Sequence, residues 1–329
     1  MVTVERRQRK GKVLTPSSLP CLGSMPTINI TSGCGMDCVY CYTQSYPSHP
    51  GNERVVLYEN TPDLVRTELM RGRARPRRVY FSTASDAFPM QWEVQEVTFE
   101  TMKVLLEHGV EVSFLTKGVL DKRFYPLFRE HSTRVHAQIG ISTLRREFWH
   151  RFEPRTASPW QRLRTAARLV EIGVETKARL DPLIPEITDD PDDLAELFGE
   201  LRAAGIGRAA ASYLFTRPAF KRRVEGAIAL PQLGKPFQAT DWSWHRFSEG
   251  VGGGRTIGVY ERRERLERVA AIAAAAGVDV SMCHCKNSDV SGSRYCGIAG
   301  PQAAGSASDA LESLFQQACD AGPLHQRSD

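Results

Sequence analysis

The chain has 329 residues, of which 41% are hydrophobic and 25% are charged, and its formal net charge is +5. These are ordinary values for a globular protein, with room for a sizeable core in one large α/β barrel or two small domains. No run of about 18 apolar residues occurs, which argues against a transmembrane helix. The basic residues 1–12 are not followed by an apolar stretch, which argues against a secretory signal, so we expect a cytoplasmic protein without membrane association.

Charged residues are concentrated in three runs. The acidic run, 189–193, is typical of the first turn of a helix. The two basic runs favour either pairing with phosphates or simple solvation of a loop and a tail; they consist of Arg6, Arg7, Arg9 and Lys10, and of Arg71, Arg73, Arg75, Arg77 and Arg78.

Short β-type runs alternate with helical patterns along most of the chain. The predicted strands are 27–31, 78–83, 111–116, 135–142, 175–183 and 208–215, and the predicted helices are 63–71, 94–108, 121–130, 160–172 and 192–204. Gly109, Gly173 and Gly205 each follow a helical pattern directly, as residues that end helices do. Six β-then-α units predict a parallel sheet with outer helices, curled by right-handed crossovers into a full or partial barrel.

The pattern is looser after residue 217. Residues 218–260 predict a loop-rich cap, in which Gly252, Gly253 and Gly254 favour a flexible linker over a phosphate-binding loop. A helix at 261–276 and a strand at 278–282 predict a seventh unit, and a last helix is expected near 310–318. We therefore divide the chain into an N-terminal arm or lid strand (1–26), a core barrel (27–217) and a C-terminal cap or extension that contains cysteines (218–329).

Six of the eight cysteines fall into two tight groups, and none lies between residues 42 and 282. In a cytosolic type of chain, such clustering indicates metal or cluster ligands rather than disulfides. The first group is Cys34-Gly-Met-Asp-Cys38-Val-Tyr-Cys41. Three thiolates from one loop would leave one iron of a [4Fe–4S] cubane open to a small ligand such as an amino acid. The alternative is a zinc loop, but zinc would need a fourth ligand that does not follow nearby.

The spacing Cys-x₃-Cys-x₂-Cys, with Tyr40 and Tyr42 beside the last cysteine, resembles the signature of the radical S-adenosylmethionine (SAM) superfamily. Within this superfamily, residues 27–217 resemble the branch of spore photoproduct lyases and DNA repair photolyase-like proteins. The resemblance is carried by the segments 82–88, 115–117, 152–155, 162–163 and 182–185 and by Asp189. The resemblance implies a partial (β/α)₆ TIM-type barrel. It also implies reductive cleavage of SAM at the cluster, to give a 5′-deoxyadenosyl radical that abstracts a hydrogen atom.

The same resemblance implies a set of SAM contacts. Tyr42 is expected to face adenine, Lys117 to pair with the methionine carboxylate and Ser142 to lie near the ribose. Ser82 and Thr83 are expected near the methionine amino group, and Arg179 and Ser212 are expected to contact SAM from later strands. Asp86 is a further expected contact, with the alternative that it is only a turn residue. For each polar residue the alternative is a structural role at the end of the barrel.

One departure from the branch concerns the hydrogen donor. Spore photoproduct lyases use a barrel cysteine, and this chain has none between residues 42 and 282. The direct lyase reaction is therefore not expected; a tyrosine such as Tyr213, or no protein donor at all, would have to take the place of the cysteine.

The second group, Cys283, Cys285 and Cys296, begins directly after the last predicted strand. Residues i and i+2 of a strand share a face, so these thiolates could converge on a second iron–sulfur cluster, with Cys21, Cys319 or substrate as the fourth ligand. Zinc bound with His284, or thiols without a metal, are the alternatives.

Three functions follow from these motifs. The first is a radical SAM enzyme that performs a lyase, rearrangement or tailoring reaction on a small molecule and receives electrons from an external donor of the flavodoxin or ferredoxin type. The second is repair or modification of nucleic acid, which the branch and the basic runs favour. The third is a non-enzymatic iron–sulfur redox protein, which would have no need of polar residues at the strand ends.

Overall fold

The computed structural model describes residues 2–17, 19–72, 75–228, 242–247 and 252–294. Its strands are β1 (Thr3–Arg7), β2 (Thr15–Pro16), β3 (Pro26–Ile28), β4 (Thr31–Ser32), β5 (Arg54–Tyr58), β6 (Arg78–Phe81), β7 (Glu111–Thr116), β8 (Val135–Gly140), β9 (Glu175–Leu183), β10 (Arg208–Tyr213), β11 (Ser243–Arg246), β12 (Gly253–Thr256) and β13 (Asp279–Met282). Its α-helices are α1 (Thr61–Arg71), α2 (Trp92–Glu107), α3 (Phe124–Glu130), α4 (Arg146–Phe152), α5 (Pro159–Glu171), α6 (Pro191–Ala203), α7 (Pro218–Ile228) and α8 (Val259–Ala275).

The main sheet has eight strands in the order β13-β10-β9-β8-β7-β6-β3-β2. All neighbours in it are parallel except β2, which pairs antiparallel to β3 at one edge. A mostly parallel sheet with helices packed on its strands agrees with the predicted α/β class and is consistent with a partial barrel. The seven parallel strands have their carboxyl ends at one edge, where such folds place their active sites.

The helices cover the sheet through an extended apolar core. Helix α2 packs on β7, helix α5 packs on β8 and β9, and helix α8 packs on β13. One part of this core is an aromatic cluster in which Phe114 of β7 contacts Phe88 and Phe128. The predicted helix-ending glycines all adopt the left-handed conformation, with φ of +79° at Gly109 and +87° at Gly173. Because L-residues rarely adopt this φ, glycine is the favoured residue at these three junctions between a helix and the next strand.

The structure corrects several boundaries. The predicted strand 27–31 is two short strands, because the chain leaves the main sheet after Ile28 and β4 pairs with β5 in a separate three-stranded sheet. Residues 218–260 are not mainly loop, since the described part contains α7 and the hairpin β11–β12, with Gly253 and Gly254 inside β12. The sequence analysis also missed β5 and α4. The helix expected near 310–318 lies outside the described residues.

The boundaries of the predicted core barrel in the sequence, at residues 27 and 217, remain predictions. The structure adds that β1, from the predicted arm, pairs with β5, and that β13, from the predicted extension, extends the main sheet beside β10. Among the described helices, none has the length and apolar character that crossing a membrane requires.

Candidate functional site

Cys34, Cys38 and Cys41 lie in the loop that follows β4, and all three line one cavity. Glycine is required at one position of this loop. A Cβ atom at Gly33, where φ is +82°, would lie 2.5 Å from the Pro50 ring and 2.9 Å from the Arg54 carbonyl oxygen. The cysteine loop can therefore turn this tightly only with glycine at residue 33.

Two of the thiols lie where a bound cation would be needed to keep them ionised. Burial, with the nearby Asp86 and Cys41, raises the pKa of Cys34 above its ordinary value. Burial also raises the pKa of Cys38, and the Glu153 carboxylate adds to this increase. Together with Cys41 in the same cavity, these thiols fit the iron atoms of a [4Fe–4S] cluster, whose charge stabilises thiolates. As the side chains stand, no group of three or more His, Cys, Asp or Glu residues in the described part is arranged to hold a single metal ion.

The cavity has a volume of about 160 Å³, enough for a ligand rather than one or two waters. Its walls come from the cysteine loop and from the carboxyl ends of four strands. Besides the thiols they comprise Met36, Tyr40, Tyr42, Thr43, Ser82, Thr83, Ala84, Ser85, Asp86, Leu115, Lys117, Asp181, Pro182, Leu214, Phe215 and Lys286.

The loop after β6 presents polar groups to this cavity. Ser82 has a left-handed backbone, with φ of +73°. The buried Oγ atoms of Ser82 and Ser85 have no hydrogen-bond partner among the described residues. Because unsatisfied buried hydroxyls are costly, these two atoms indicate a polar ligand in the cavity. Tyr42 closes one side of the loop by donating its hydroxyl to the Thr83 carbonyl oxygen.

Asp86 is held in place by its own loop and by the next strand. Its carboxylate accepts the Phe88 amide at 2.8 Å, the Thr116 hydroxyl at 2.7 Å and the Lys117 amide at 2.9 Å. Burial raises the pKa of Asp86, although these hydrogen bonds oppose the increase. Asp86 therefore links the ends of β6 and β7, in addition to lining the cavity.

A buried carboxylate, Glu153, joins the cysteine loop to the strand ends. It accepts hydrogen bonds from the Tyr40 hydroxyl, from Lys117 Nζ at 3.0 Å and from Arg162 Nη2. Burial alone would raise the pKa of Glu153, but Arg162 and Lys117 outweigh it and lower the pKa to about 2. Lys117 Nζ also donates to the Asp181 carbonyl at 3.1 Å, so this ammonium is fixed at the cavity wall.

The cavity wall contains a further charged residue, Lys286, which the sequence analysis did not identify. Lys286 Nζ lies 2.7 Å from both carboxylate oxygens of Asp181, and Arg179 Nη2 lies 2.9 Å from Asp181 Oδ2. Burial would raise the pKa of Asp181, but Lys286 and Arg179 lower it overall. Lys286 follows Cys285 directly, and that proximity to the second cysteine group was the only sequence signal for it.

Tyr213 is placed differently from the expectation for a hydrogen donor. Its hydroxyl donates to Asp189 Oδ2 at 2.7 Å, and Arg265 of α8 donates to the same oxygen at 2.8 Å. Tyr213 therefore faces the helix layer, and it is not among the residues that line the cavity. The reason is strand alternation, which directs Tyr213 outward, whereas Leu214 and Phe215 reach the cavity just beyond the end of β10.

Three of the expected SAM contacts lie beside the cavity rather than in its wall. Ser142 and Ser212 are buried, and the Ser142 Oγ has no hydrogen-bond partner among the described residues. Arg179 connects two groups, because its Nη2 contacts both Asp181 and the Cys283 sulfur, the latter at 3.2 Å. The expected contacts that do line the cavity are Tyr42, Ser82, Thr83, Asp86 and Lys117.

The described part of the second cysteine group lies next to Cys21, one of the candidate fourth ligands. Cys283 and Cys285 are buried in one apolar cluster with Cys21 and Leu22 of the N-terminal segment and Tyr80 of β6. Leu115 packs against this cluster and also lines the cavity. Cys296 lies outside the described residues.

Sequence comparison places the chain among proteins with the same cysteine chemistry. The profile of the radical SAM superfamily matches residues 28–198. Rv2578c of Mycobacterium tuberculosis, an uncharacterized protein, is 28% identical over 190 residues, which cover 54% of this chain and 55% of that protein. A radical SAM Nalpha-GlyT isomerase of Pseudomonas phage M6 is 25% identical over 173 residues, which cover 52% of this chain and 35% of the phage protein. The chain thus spans little more than half the length of the mycobacterial relative that it matches.

Structural comparison gives the same fold over a larger part of the chain. A mutant of spore photoproduct lyase superposes with a TM-score of 0.63 at 19% identity, covering 85% of this chain and 82% of the other. Another, with bound AdoMet and dinucleoside spore photoproduct, gives a TM-score of 0.63 at 18% identity, covering 84% and 81%. At this identity the likeness concerns the fold alone. The profile match covers more than half of the residues, and so the chain belongs to the radical SAM superfamily.

Proposed function

We propose that this protein reductively cleaves SAM at a [4Fe–4S] cluster held by Cys34, Cys38 and Cys41, and abstracts a hydrogen atom from a small-molecule substrate. The observation that carries the proposal is that the three thiols share one cavity with the polar residues at the strand ends. When bound, the cluster and SAM together supply a 5′-deoxyadenosyl radical. We propose that the electron comes from an external one-electron donor of the flavodoxin or ferredoxin type.

The chain's own residues provide a binding surface for SAM. Lys117 Nζ has three N–H groups, of which Glu153 and the Asp181 carbonyl accept two, so one remains for a ligand carboxylate. The unsatisfied hydroxyls of Ser82 and Ser85 are available to the polar amino-acid end of SAM. Tyr42, held by its hydrogen bond to Thr83, gives an aromatic face for adenine.

Glu153 is a positioning residue in this proposal. It has no place in the cavity wall, but it holds Lys117 and Tyr40 from behind. Arg162 in turn fixes Glu153, since the Arg162 guanidinium also donates to the Gly140 carbonyl at 2.7 Å. The ammonium that would bind SAM is therefore placed before the ligand arrives, which lowers the entropy cost of binding.

Action on nucleic acid is the second candidate. It is favoured by the similarity in fold to the spore photoproduct lyase with bound AdoMet and dinucleoside spore photoproduct. The basic runs of the sequence, which suit phosphates, favour it as well.

We also propose a second iron–sulfur cluster on Cys283, Cys285 and Cys296. Its support is that Cys283 and Cys285 are buried in one cluster with Cys21, one of the fourth ligands considered. Two segments far apart in sequence thus bring three thiols into the same cluster.

The first prediction concerns SAM cleavage. Anaerobically reconstituted protein with a strong reductant should form 5′-deoxyadenosine, measured by liquid chromatography. Cys34→Ala, Cys38→Ala and Cys41→Ala should each abolish it, because two thiolates do not hold a cubane in this geometry. The control is Cys319→Ala, which changes a cysteine outside both groups and should retain activity. Unchanged turnover in all three variants would contradict the proposal.

The second prediction concerns Lys117. If its ammonium binds the SAM carboxylate, Lys117→Ala should weaken SAM binding by about one to two orders of magnitude, since a charge-assisted hydrogen bond contributes roughly 1.5–3 kcal/mol. Equilibrium dialysis of preparations with equal iron content measures this. Lys103→Ala, on the exposed face of α2, is the matched control. Equal affinity in Lys117→Ala and wild type would remove Lys117 from the site.

The third prediction concerns Glu153. Glu153→Gln leaves Arg162 and Lys117 without their carboxylate, and an uncompensated buried charge costs about 3–5 kcal/mol of unfolding free energy. Urea unfolding followed by circular dichroism measures the loss. The exposed Glu107→Gln should change stability by less than about 0.5 kcal/mol. A loss no larger than that of Glu107→Gln would show that the buried network is not stabilising.

The fourth prediction concerns the second cysteine group. With two cubanes, anaerobic protein should carry about eight irons per chain, and the triple variant Cys283→Ala, Cys285→Ala, Cys296→Ala about four, while still binding SAM. Iron and sulfide analysis with metal quantification by mass spectrometry measures this, and Cys319→Ala should match wild type. Wild-type protein with about four irons and no zinc would exclude a metal at this group.

A further inference from the structure

A second cavity, of about 200 Å³, adjoins the first behind the cysteine loop. Thr43 and Ala84 line both cavities, so a ligand in one lies next to a ligand in the other. The wall is polar, and none of its described residues is Asp or Glu. It comprises Arg9, Asn29, Thr31, Ser32, Gly33, Thr43, Tyr46, Ser48, His49, Tyr58 and Ala84.

Arg9 is fixed in the wall of this second cavity. Its backbone amide donates to Asn60 Oδ1 at 2.8 Å, and Asn60 Nδ2 donates back to the Arg9 carbonyl at 3.1 Å. Its guanidinium lies 4.3 Å from the centre of the Tyr58 ring, and Nη2 donates to the Asn29 carbonyl at 2.6 Å. The side chain is therefore preorganised rather than solvated, although it belongs to a basic N-terminal run.

Arg9 forms no ion pair with a carboxylate among the described residues. Burial lowers the pKa of Arg9, and the nearby Tyr58 and Glu68 oppose this decrease only in part. Within the described part of the chain, only the Asn29 carbonyl accepts a hydrogen bond from the Arg9 guanidinium. A partly buried cation without a carboxylate partner favours an anionic ligand.

Further hydrogen-bond donors surround the same space. His49 Nδ1 accepts the Gly51 amide at 3.1 Å, which places the proton of the neutral ring on Nε2. Burial, together with the nearby Arg223, lowers the pKa of His49, so the ring is neutral at pH 7. The Ser32 hydroxyl donates to the Ser48 carbonyl oxygen at 3.2 Å, whereas the Ser48 hydroxyl adds a donor beside His49 Nε2. These donors around one cation suit the several acceptor oxygens of a phosphate better than a carboxylate.

We propose that the second cavity binds the phosphate of a phosphate ester, and that this phosphate anchors the substrate whose reactive part enters the SAM cavity. The substrate is then a phosphate monoester or a phosphodiester. This inference deepens the proposed function and rests on it for the identity of the ligand as substrate. Thr43, two residues after Cys41, forms part of the boundary between the anchor and the reaction site.

Direct binding to the anaerobic holoenzyme with SAM present tests the proposal. The probes are inorganic phosphate, uridine 5′-monophosphate, uridine and the dinucleotide UpU, measured by isothermal titration calorimetry. Pyrimidines avoid competition with the adenine of SAM. Phosphate and at least one phosphate ester should bind more tightly than uridine, and acetate should not displace them. Uridine 5′-monophosphate and UpU distinguish a monoester substrate from a phosphodiester.

Three variants identify the site. Arg9→Gln should weaken binding of phosphate and of the favoured ester by about 10–100-fold, the range of one charge-assisted hydrogen bond. Arg9→Lys, which keeps the charge, should retain most of the binding even if Arg9→Gln folds poorly. Arg7→Gln, on the exposed pair with Glu5, should bind like wild type.

Any of three results would overturn the proposal. The first is that phosphate esters bind no tighter than uridine, and the second is that folded Arg9→Gln binds phosphate as tightly as wild type. The third is that acetate displaces the bound ester as effectively as phosphate does. Formation of 5′-deoxyadenosine by wild-type protein, measured on the same preparations, reports on the proposed function separately. If wild-type protein does not cleave SAM but still binds phosphate in a way that depends on Arg9, the proposed function is rejected. The phosphate site in the second cavity is then retained.

Discussion

The buried carboxylate of Glu153 is the interaction on which the cysteine loop and the strand ends depend. Glu153 is 2% exposed and Arg162 is 1% exposed. Two charges so far from water persist only if each is compensated by the other and by further hydrogen bonds. Arg162 meets this condition through the Gly140 and Ala157 carbonyls, and Glu153 through Tyr40 and Lys117. The cost of burial thus forces the cysteine loop, the end of β7 and the start of α5 into one arrangement.

The succession of strands and helices could be predicted because it depends on residues that are close together in the sequence. Apolar periodicity and the left-handed glycines after α2, α5 and α6 are properties of neighbouring residues, so the parallel units were found with small boundary errors. The elements that were missed depend on distant contacts. β5 exists because β1 and β4 pair with it, and the hairpin β11–β12 contains glycines that elsewhere would predict a flexible linker.

The site could be predicted in part for the same physical reason. Cys34, Cys38 and Cys41 act through spacing within one loop, which the sequence displays directly. Lys286 and Cys21 reach their positions only when separate parts of the chain meet, and no local pattern marks such a meeting. The orientation of Tyr213 could not be read from its place near a strand end, because the pairing of β9 with β10 shifts register between residues 211 and 213.

Charge distinguishes the two adjoining cavities. In the first cavity every charged side chain of the wall has a partner: Lys117 has Glu153, Lys286 has Asp181, and Asp86 has hydrogen-bond donors from its own loop and from β7. The formal charges of Asp86, Asp181, Lys117 and Lys286 in that wall sum to zero. In the second cavity Arg9 forms no ion pair with a described carboxylate, although the nearby Glu68 offsets part of its burial cost. Because a partly buried cation without an ion-pair partner costs the fold stability, an anionic ligand in the second cavity would recover free energy.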